Sequence, residues 1–261
     1  MRLYGVCTPS HQPLLRNWLL PTLQDPYELR IQSYNQIGSE EQHVFGTPQF
    51  IRTTMFKLDV VLRALRENWE DLFVFTDMDV QFFRPTELLL RRLINGFDLL
   101  FQRDSPEGIA CSGFLLCRAT PTTLRFWESV RRYMETFPQK NDQDAVNDLL
   151  LIGRVRQQRY PGWQVVNRIL DMDNPASFKL RTLVRFLLKK KNQFGLRWNY
   201  LPNTFMSGGT LTGRPWKPGI SLPVPQGIIL HHANWTIGIE NKIAQLRLVR
   251  QTVESHRDNR K

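Results

Sequence analysis

One short segment, residues 72–75 (Leu-Phe-Val-Phe), constrains the fold more than any other part of the chain. It is apolar throughout, without the alternation of polar and apolar residues that marks a strand with one solvated face. Such a run is typical of a central strand that is buried on both sides. A sheet with such a strand needs a covering layer on each face, and helices provide that layer in α/β folds.

The segments around this run alternate between strand and helix patterns. Thr47-Pro48 and Thr120-Pro121 each place a capping hydroxyl before a proline, which is typical of a helix start. Strands are predicted at residues 2–8, 27–34, 97–102, 113–117 and 228–230, and helices at residues 13–23, from 48, from 121, at 142–151 and from 239. The alternation predicts an α/β fold with a mostly parallel central sheet and helices on both faces.

The alternation is interrupted at about residues 160–195, where apolar residues are mixed with many Lys and Arg. This composition predicts a basic helical insertion, which is either an ordinary surface helix or an element that binds a membrane surface or an acceptor. We expect one domain over residues 1–250, including this insertion. A basic C-terminal tail is expected at residues 251–261.

The chain of 261 residues carries a net charge of +11, and a basic surface attracts phosphates in nucleotides, nucleic acids and anionic membranes. No stretch approaches the ~18 apolar residues of a membrane span, and no signal peptide is evident. Three cysteines without metal-knuckle spacing predict free, buried thiols. We therefore expect a cytoplasmic protein, with peripheral contact to the inner face of a membrane as a further hypothesis.

The most informative residues are Asp77 and Asp79, directly after the apolar run. Residues two apart in an extended chain point to the same side, so both carboxylates converge at the carboxyl end of a central strand. Open α/β sheets bind their ligands at that edge. A divalent cation would relieve the repulsion between the carboxylates, and oxygen ligands suit Mg²⁺ or Mn²⁺.

A second set of polar residues follows the apolar segment 228–230. His231 and His232 come directly after it, and an imidazole from one of them would shift the metal preference toward Mn²⁺. A helix is predicted after Gly238, with Lys242 in its first turn. A helix N-terminus with a lysine is a favourable site for a phosphate group.

Together these motifs resemble the nucleotide-diphospho-sugar transferases, in the group related to plant xylosyl- and arabinosyltransferases. The resemblance covers about residues 1–150 and 196–250. The matching residues are the segment 73–80 (Phe-Val-Phe-Thr-Asp-Met-Asp-Val), Asp142-Gln143 with Asn147, and His232-Ala233-Asn234-Trp235 with Gly238 and Lys242.

The resemblance implies a glycosyltransferase A fold and a metal-dependent glycosyltransferase that uses a nucleotide-sugar donor, usually UDP-linked, with retention of configuration. The cofactor would be Mn²⁺ or Mg²⁺, and the acceptor a glycan, a lipid-linked sugar or a protein. The implied metal ligands are Asp77, Asp79 and His232, and the implied catalytic residues are Asp142 and Gln143. The residues implied to line the donor or acceptor site are Thr8, Lys57, Asp77, Asp79, Gly113, Asn234, Gly238 and Lys242.

Two of these assignments have simpler alternatives. Lys57 lies off the apolar stripe of its predicted helix, so it is either a donor-facing or a surface lysine. Asp142 starts a predicted helix, so its carboxylate is either a reaction-centre group or a helix cap, or both.

Two other functions remain open from the residues alone. A haloacid-dehalogenase-type phosphohydrolase would use Asp77 as its nucleophile. However, Asp77 is far from the first strand, and no later acidic pair follows an apolar strand. A basic nucleic-acid-binding protein would explain the charge, but the seven Trp residues are scattered and no nucleic-acid motif is present, so we expect no nucleic-acid partner.

Overall fold

The computed structural model describes residues 1–35, 47–105, 108–150 and 194–258. Nearly all of the basic insertion expected at about residues 160–195 lies outside these ranges. Among the described residues, no helix is both long and apolar enough to cross a membrane.

The described chain alternates between strands and helices, as the sequence predicts. The strands are β1 (Arg2–Cys7), β2 (Glu28–Ser33), β3 (Leu72–Thr76), β4 (Val80–Phe82), β5 (Leu99–Arg103), β6 (Ala110–Arg118), β7 (Trp198–Tyr200), β8 (Phe205–Ser207) and β9 (Leu230–His232). The helices are α1 (Gln12–Leu14), α2 (Leu20–Thr22), α3 (Pro48–Glu67), α4 (Glu87–Leu93), α5 (Pro121–Thr136), α6 (Asp142–Leu149), α7 (Gly208–Thr212) and α8 (Ile239–Asp258). A 3-10 turn at Pro9–His11 and a π turn at Leu15–Leu19 complete one continuous helical segment with α1 and α2.

The predicted helix starts are confirmed by their caps. Thr47 Oγ1 accepts a hydrogen bond from Phe50 N at 3.2 Å at the start of α3. Thr120 caps α5 in the same way through Thr123 N, at 3.2 Å, and Thr123 Oγ1 accepts in return from Thr120 N. Each cap satisfies a backbone donor that the first helical turn leaves without a partner.

The main sheet has six strands in the order β2-β1-β3-β6-β5-β7. Strand β1 pairs in parallel with β2 and β3, and β5 pairs in parallel with β7. Strand β6 lies antiparallel to both of its neighbours. The prediction of a mostly parallel sheet is therefore confirmed, with β6 as its one reversed strand among the described residues.

The reversal of β6 follows from the short connection before it. Arg103 at the end of β5 pairs with Ala110 at the start of β6, so the two strands form a hairpin. A parallel pair would need a crossover of a dozen or more residues. Because β6 enters the sheet between β3 and β5, its first residues lie at the edge where β3 and β5 end.

Helices cover both faces of this sheet, as predicted. One core packs α3, α5 and α6 on the face that includes Phe73, Phe75 and Phe101. The other core packs the first helical segment, α4 and α8 against Val74 and Leu116. The segment at 72–75 is buried on both sides, which is what its uninterrupted apolar character indicates.

A second sheet has three strands in the order β4-β9-β8. Its strand β4 begins at Val80, four residues after β3 ends in the first sheet. Val80 pairs with His232, so β9 and the helix α8 that follows it are joined to the chain just after β3. Helix α8 continues to Asp258, past residue 251, so the part of the expected tail up to Asp258 is helical. The three cysteines are free and buried, as predicted.

Candidate active site

The candidate site lies at the edge of the sheet where β1, β3 and β5 end and β6 begins. The residues that follow the first three strands are Thr8, Asp77 and Asp104, and Ser112 and Gly113 lie near the start of β6. Helix α8 and strand β9 close the site from the C-terminal part of the chain. This is the edge at which open α/β sheets bind ligands.

Asp77, Asp79 and His232 form one cluster of possible metal ligands. One donor atom from each residue lies within 4.8 Å of the others. His232 Nε2 is 3.1 Å from Asp79 Oδ1 and 3.9 Å from Asp77 Oδ2. The sequence-predicted ligands are therefore brought together, and two carboxylates with one imidazole fit Mn²⁺ or Mg²⁺.

The orientation of His232 is fixed by Gln102, which the sequence analysis did not single out. His232 Nδ1 lies 2.9 Å from Gln102 Oε1, and Gln102 Nε2 donates to Phe205 O at 3.2 Å. The carbonyl end of Gln102 therefore faces the ring and accepts a hydrogen bond from Nδ1. Nε2 faces the carboxylates and is the ring nitrogen positioned to bind a cation, as in metal sites where a second group orients a histidine ligand.

The structure also separates the two neighbouring histidines. His231 points to the opposite side of β9, where its Nδ1 is 3.2 Å from Gln81 Nε2 in a fully buried environment. Burial and the nearby His232 lower the pKa of His231 to about 3. His232 is thus the imidazole that faces the carboxylates, because residues adjacent on a strand point to opposite sides.

Gly113 leaves the space that two of these residues occupy. A Cβ at this position would lie 2.4 Å from Asp77 Oδ2 and 2.4 Å from His232 Cε1. Gly113 also accepts a hydrogen bond from Asp77 N through its carbonyl at 2.7 Å. The structure therefore places Gly113 directly behind the ligand cluster.

Lys242 reaches the same cluster from the first turn of α8. Its Nζ forms an ion pair with Asp79 Oδ2 and lies 3.5 Å from Ala233 O. Burial opposes ionisation of Asp79, but Lys242 and His232 outweigh it and hold its pKa well below the usual range. Gly238, just before α8, has a φ of 86°, a conformation that favours glycine.

Lys57 is buried, not on the surface, and it links two parts of the site. Its Nζ lies 3.1 Å from Asp77 Oδ1 and 3.1 Å from Asp142 Oδ2. A longer contact of 3.5 Å joins it to Ser112 Oγ. Burial disfavours the charged ammonium, but the carboxylates of Asp142 and Asp77 raise its pKa above the ordinary value.

The first turn of α6 carries Asp142 and Gln143, and the structure corrects the capping role considered for Asp142. The N-cap is Asn141, whose side chain accepts from Asp144 N at 2.8 Å. The carboxylate of Asp142 instead faces Lys57. Gln143 Nε2 donates to Asp104 Oδ2 at 2.9 Å.

Asn234 is held by bonds inside the protein at both ends of its amide. Its Oδ1 accepts from Gly208 N at 2.7 Å, and its Nδ2 donates to Asp104 Oδ1. A Cβ at Gly208 would lie 2.3 Å from the carbonyl oxygen of Asn234. The side chain therefore joins β9 to α7, and a contact with a donor would be additional to these bonds.

Thr8 is buried at the end of β1 and belongs to a small polar group. Its Oγ1 lies 2.8 Å from His11 Nδ1 and 3.1 Å from Ser10 Oγ. Burial and the charge of Lys242 lower the pKa of His11 to about 4. The group therefore presents neutral hydroxyl and imidazole functions close to Lys242.

Asp104 and Gln102 are the site residues that the sequence analysis missed. Asp104 follows the apolar strand β5 at the same edge as Asp77. The argument that singled out Asp77 applies in a weaker form to Asp104, since Gln102 and Arg103 separate it from the apolar residues 99–101. Gln102 offers no comparable signal, since a lone glutamine at a strand end has no distinctive pattern.

A family model described as Nucleotide-diphospho-sugar transferase matches residues 23–246. No curated protein matches the sequence significantly.

Several solved structures are similar in shape. A glycosyltransferase involved in the glycosylation of the major capsid of PBCV-1 is 9% identical, with 95% of this chain and 100% of that chain covered and a TM-score of 0.49. Mouse xyloside xylosyltransferase 1 is 10% identical, with coverage of 89% and 97% and a TM-score of 0.46. The galactosyltransferase LgtC is 13% identical, with coverage of 57% and 70% and a TM-score of 0.37.

Proposed function

We propose, from the premise that the chain belongs to the nucleotide-diphospho-sugar transferase family, that it is a metal-dependent glycosyltransferase with a UDP-linked donor. The observation that carries this proposal is the cluster of Asp77, Asp79 and His232 beside Lys242. The family match also decides against a haloacid-dehalogenase-type phosphohydrolase, which would leave His232 and Lys242 without a role.

Asp77, Asp79 and His232 would hold the cation, which we propose to be Mn²⁺ or Mg²⁺. The fit is supported by the imidazole whose Nε2 faces the carboxylates and by the space that Gly113 leaves behind them. When bound, such a cation neutralises a diphosphate and so stabilises it as a leaving group.

Lys242 is proposed to contact the donor diphosphate. Its ammonium lies at the N-terminal end of α8, where the helix dipole also favours an anion. In the structure it pairs with Asp79, so it is within reach of the same region that the diphosphate would occupy. Thr8, with His11 and Ser10 beside it, is proposed to line the nucleoside side of the pocket.

Asp142 and Gln143 are proposed to face the transferred sugar. This role is supported by the ion pair of Asp142 with Lys57, because Lys57 also contacts Asp77, one of the proposed metal ligands. An acceptor hydroxyl of a glycan, lipid-linked sugar or protein would attack the anomeric carbon with retention of configuration. Preorganised charges of this kind supply the main stabilisation in a transfer reaction with an anionic leaving group.

The test is a donor-hydrolysis screen that detects nucleoside diphosphate released from a panel of nucleotide sugars in Mn²⁺. Asp79→Asn and His232→Ala should each lose release from the preferred donor, because both remove a metal ligand. The matched control is His231→Gln, which changes the adjacent histidine on the buried side of β9 and should retain release from the preferred donor. Release from no donor, or release that persists in both ligand variants, would contradict the proposal.

A further inference from the structure

Asp104 has an unusual position among the residues around the site. It is fully buried, and its carboxylate accepts three side-chain hydrogen bonds. Gln143 Nε2 donates to Oδ2 at 2.9 Å, Trp235 Nε1 donates to the same oxygen at 2.5 Å, and Asn234 Nδ2 donates to Oδ1. Asp104 has no exposed surface, whereas Gln143 is half-buried, so the surface offered to a substrate belongs to Gln143.

The hydrogen bond to the Asp104 carboxylate determines which end of the Gln143 amide is free to contact a ligand. An ionised carboxylate only accepts hydrogen bonds, so the amide must turn its NH₂ toward Asp104. The other end, Oε1, has no hydrogen-bond partner among the described residues, and the side chain is half-buried. Gln143 therefore presents a carbonyl oxygen next to Asp142, not an NH₂ group.

The same oxygen of Asp104 holds the indole of Trp235. The backbone of Trp235 has a φ of 54°, which lies in the left-handed region and is strained for a non-glycine residue. A Cβ at Gly209 would lie 3.0 Å from Trp235 Cδ2, so the indole packs closely on α7. The bond to Asp104 and this packing together keep Trp235 in its strained position.

We propose that Asp104 is a positioning residue for sugar transfer, which acts through Gln143 and holds Trp235 beside it. This inference rests on the proposed function, because it assumes that Gln143 faces the transferred sugar. Its carboxylate fixes the amide of Gln143 with the carbonyl oxygen outward. Misplacement of a reaction-centre group by about 1 Å can cost about 100-fold in rate, so a group that fixes one matters to turnover.

The first test is Asp104→Asn, which keeps the shape but replaces an acceptor oxygen with an NH₂ group. In one orientation of the new amide, its NH₂ group faces the donors of Gln143 and Trp235. In the other orientation it faces the NH₂ group of Asn234. We expect kcat to fall at least about tenfold, whereas donor KM and Mn²⁺ affinity stay within about threefold. The matched control is Asp98→Asn at the other end of β5, a buried carboxylate that accepts bonds from Arg197. The control should lower Tm and leave kcat unchanged.

Two double variants separate positioning from a purely structural role. In a Gln143→Ala background, Asp104→Asn should change kcat by less than about twofold, because residues that act through each other are not additive. Asp104→Asn with Asn234→Asp exchanges donor and acceptor within the hydrogen-bonded pair. The exchanged pair restores an oxygen toward Gln143 and should recover most of the lost kcat.

A measurement that does not depend on enzyme activity can test the role of Asp104 separately from the proposed function. The side-chain NH₂ signals of Gln143 and the indole N–H signal of Trp235, measured by NMR, should shift in Asp104→Asn and not in Asp98→Asn. If the wild-type protein releases no nucleotide from any donor, the proposed function fails while these signals still report the geometry. The inference is overturned if the signals do not move, if Asp98→Asn lowers kcat as much, or if the Asp104→Asn effect persists in full without Gln143.

Discussion

Replacement of Gly113 by alanine should weaken metal binding as well as the fold. The new Cβ would lie 2.4 Å from both Asp77 Oδ2 and His232 Cε1, whereas real Cβ contacts essentially never fall below 3.0 Å. Each of the two ligands must therefore move by at least about 0.6 Å, or the strand must. Metal–ligand distances tolerate deviations of only about 0.2 Å.

The expected magnitude follows from which atoms are displaced. A shift of the His232 ring disturbs its contact with Asp79 and its bond to Gln102 together, because Cε1 lies between the two ring nitrogens. Disturbing the groups that orient a metal ligand typically lowers affinity by about 10–100-fold. Overpacking itself should cost about 1–3 kcal/mol of unfolding free energy.

Mn²⁺ titration followed by electron paramagnetic resonance of the free ion measures the first quantity, and urea unfolding without metal measures the second. The control is Gly209→Ala, whose Cβ would lie 2.2 Å from Asp104 O and touch none of the three ligands. It should lose stability to a similar degree and retain Mn²⁺ affinity. If Gly113→Ala binds Mn²⁺ within about twofold of wild type, the assignment of the ligand cluster is wrong.

Three further predictions concern neighbouring groups. Gln102→Leu removes the acceptor for His232 Nδ1 and should lower Mn²⁺ affinity about 10–100-fold in the same titration. Unchanged affinity would show that Gln102 does not orient His232. Lys242→Met removes a cation that pairs with Asp79, so Mn²⁺ affinity should stay the same or rise. Donor KM should rise at least about tenfold, because the proposed diphosphate contact is lost. A parallel loss of Mn²⁺ affinity would contradict this division of roles. The pKa of His11 is lowered to about 4 against about 6.5 in the unfolded chain, so its contribution to stability is complete above pH 6.5 and is lost as pH falls toward 4. By pH 5.5 the free energy of unfolding should have fallen by an amount on the order of 1 kcal/mol. In His11→Gln, the free energy of unfolding measured in urea should depend less on pH between pH 7 and 4.5. An equally steep pH dependence would show that other groups cause it.

The sequence predicted the architecture well where the physical signal is local. The apolar run at 72–75 required a sheet covered on both sides, and the caps at Thr47 and Thr120 marked helix starts that depend only on neighbouring residues. The reversal of β6 was not predicted. Its signal is the short connection between Arg103 and Ala110, which excludes a parallel crossover.

The sequence predicted only those parts of the candidate site that have a local signal. Asp77 and Asp79 were found because their spacing and the preceding strand are visible in the sequence. The choice between His231 and His232 needed the register of β9, which is set by pairing with β4 and has no local signal. Asp104 matters because of three donors from distant segments, and only the folded chain brings those donors to one carboxylate.

The pairing of Val80 with His232 also bears on how the protein reaches its native state. Lys242 and Asp79 are 163 residues apart in sequence, and His232 and Gln102 are 130 apart. Contacts of such separation form late, since the loss of chain entropy on loop closure precedes any gain from them. During synthesis on the ribosome, the N-terminal strands can pair while the proposed set of metal ligands is still incomplete. High-affinity Mn²⁺ binding by a nascent or refolding chain should therefore coincide with the docking of β9, and it offers a probe for the last step of folding.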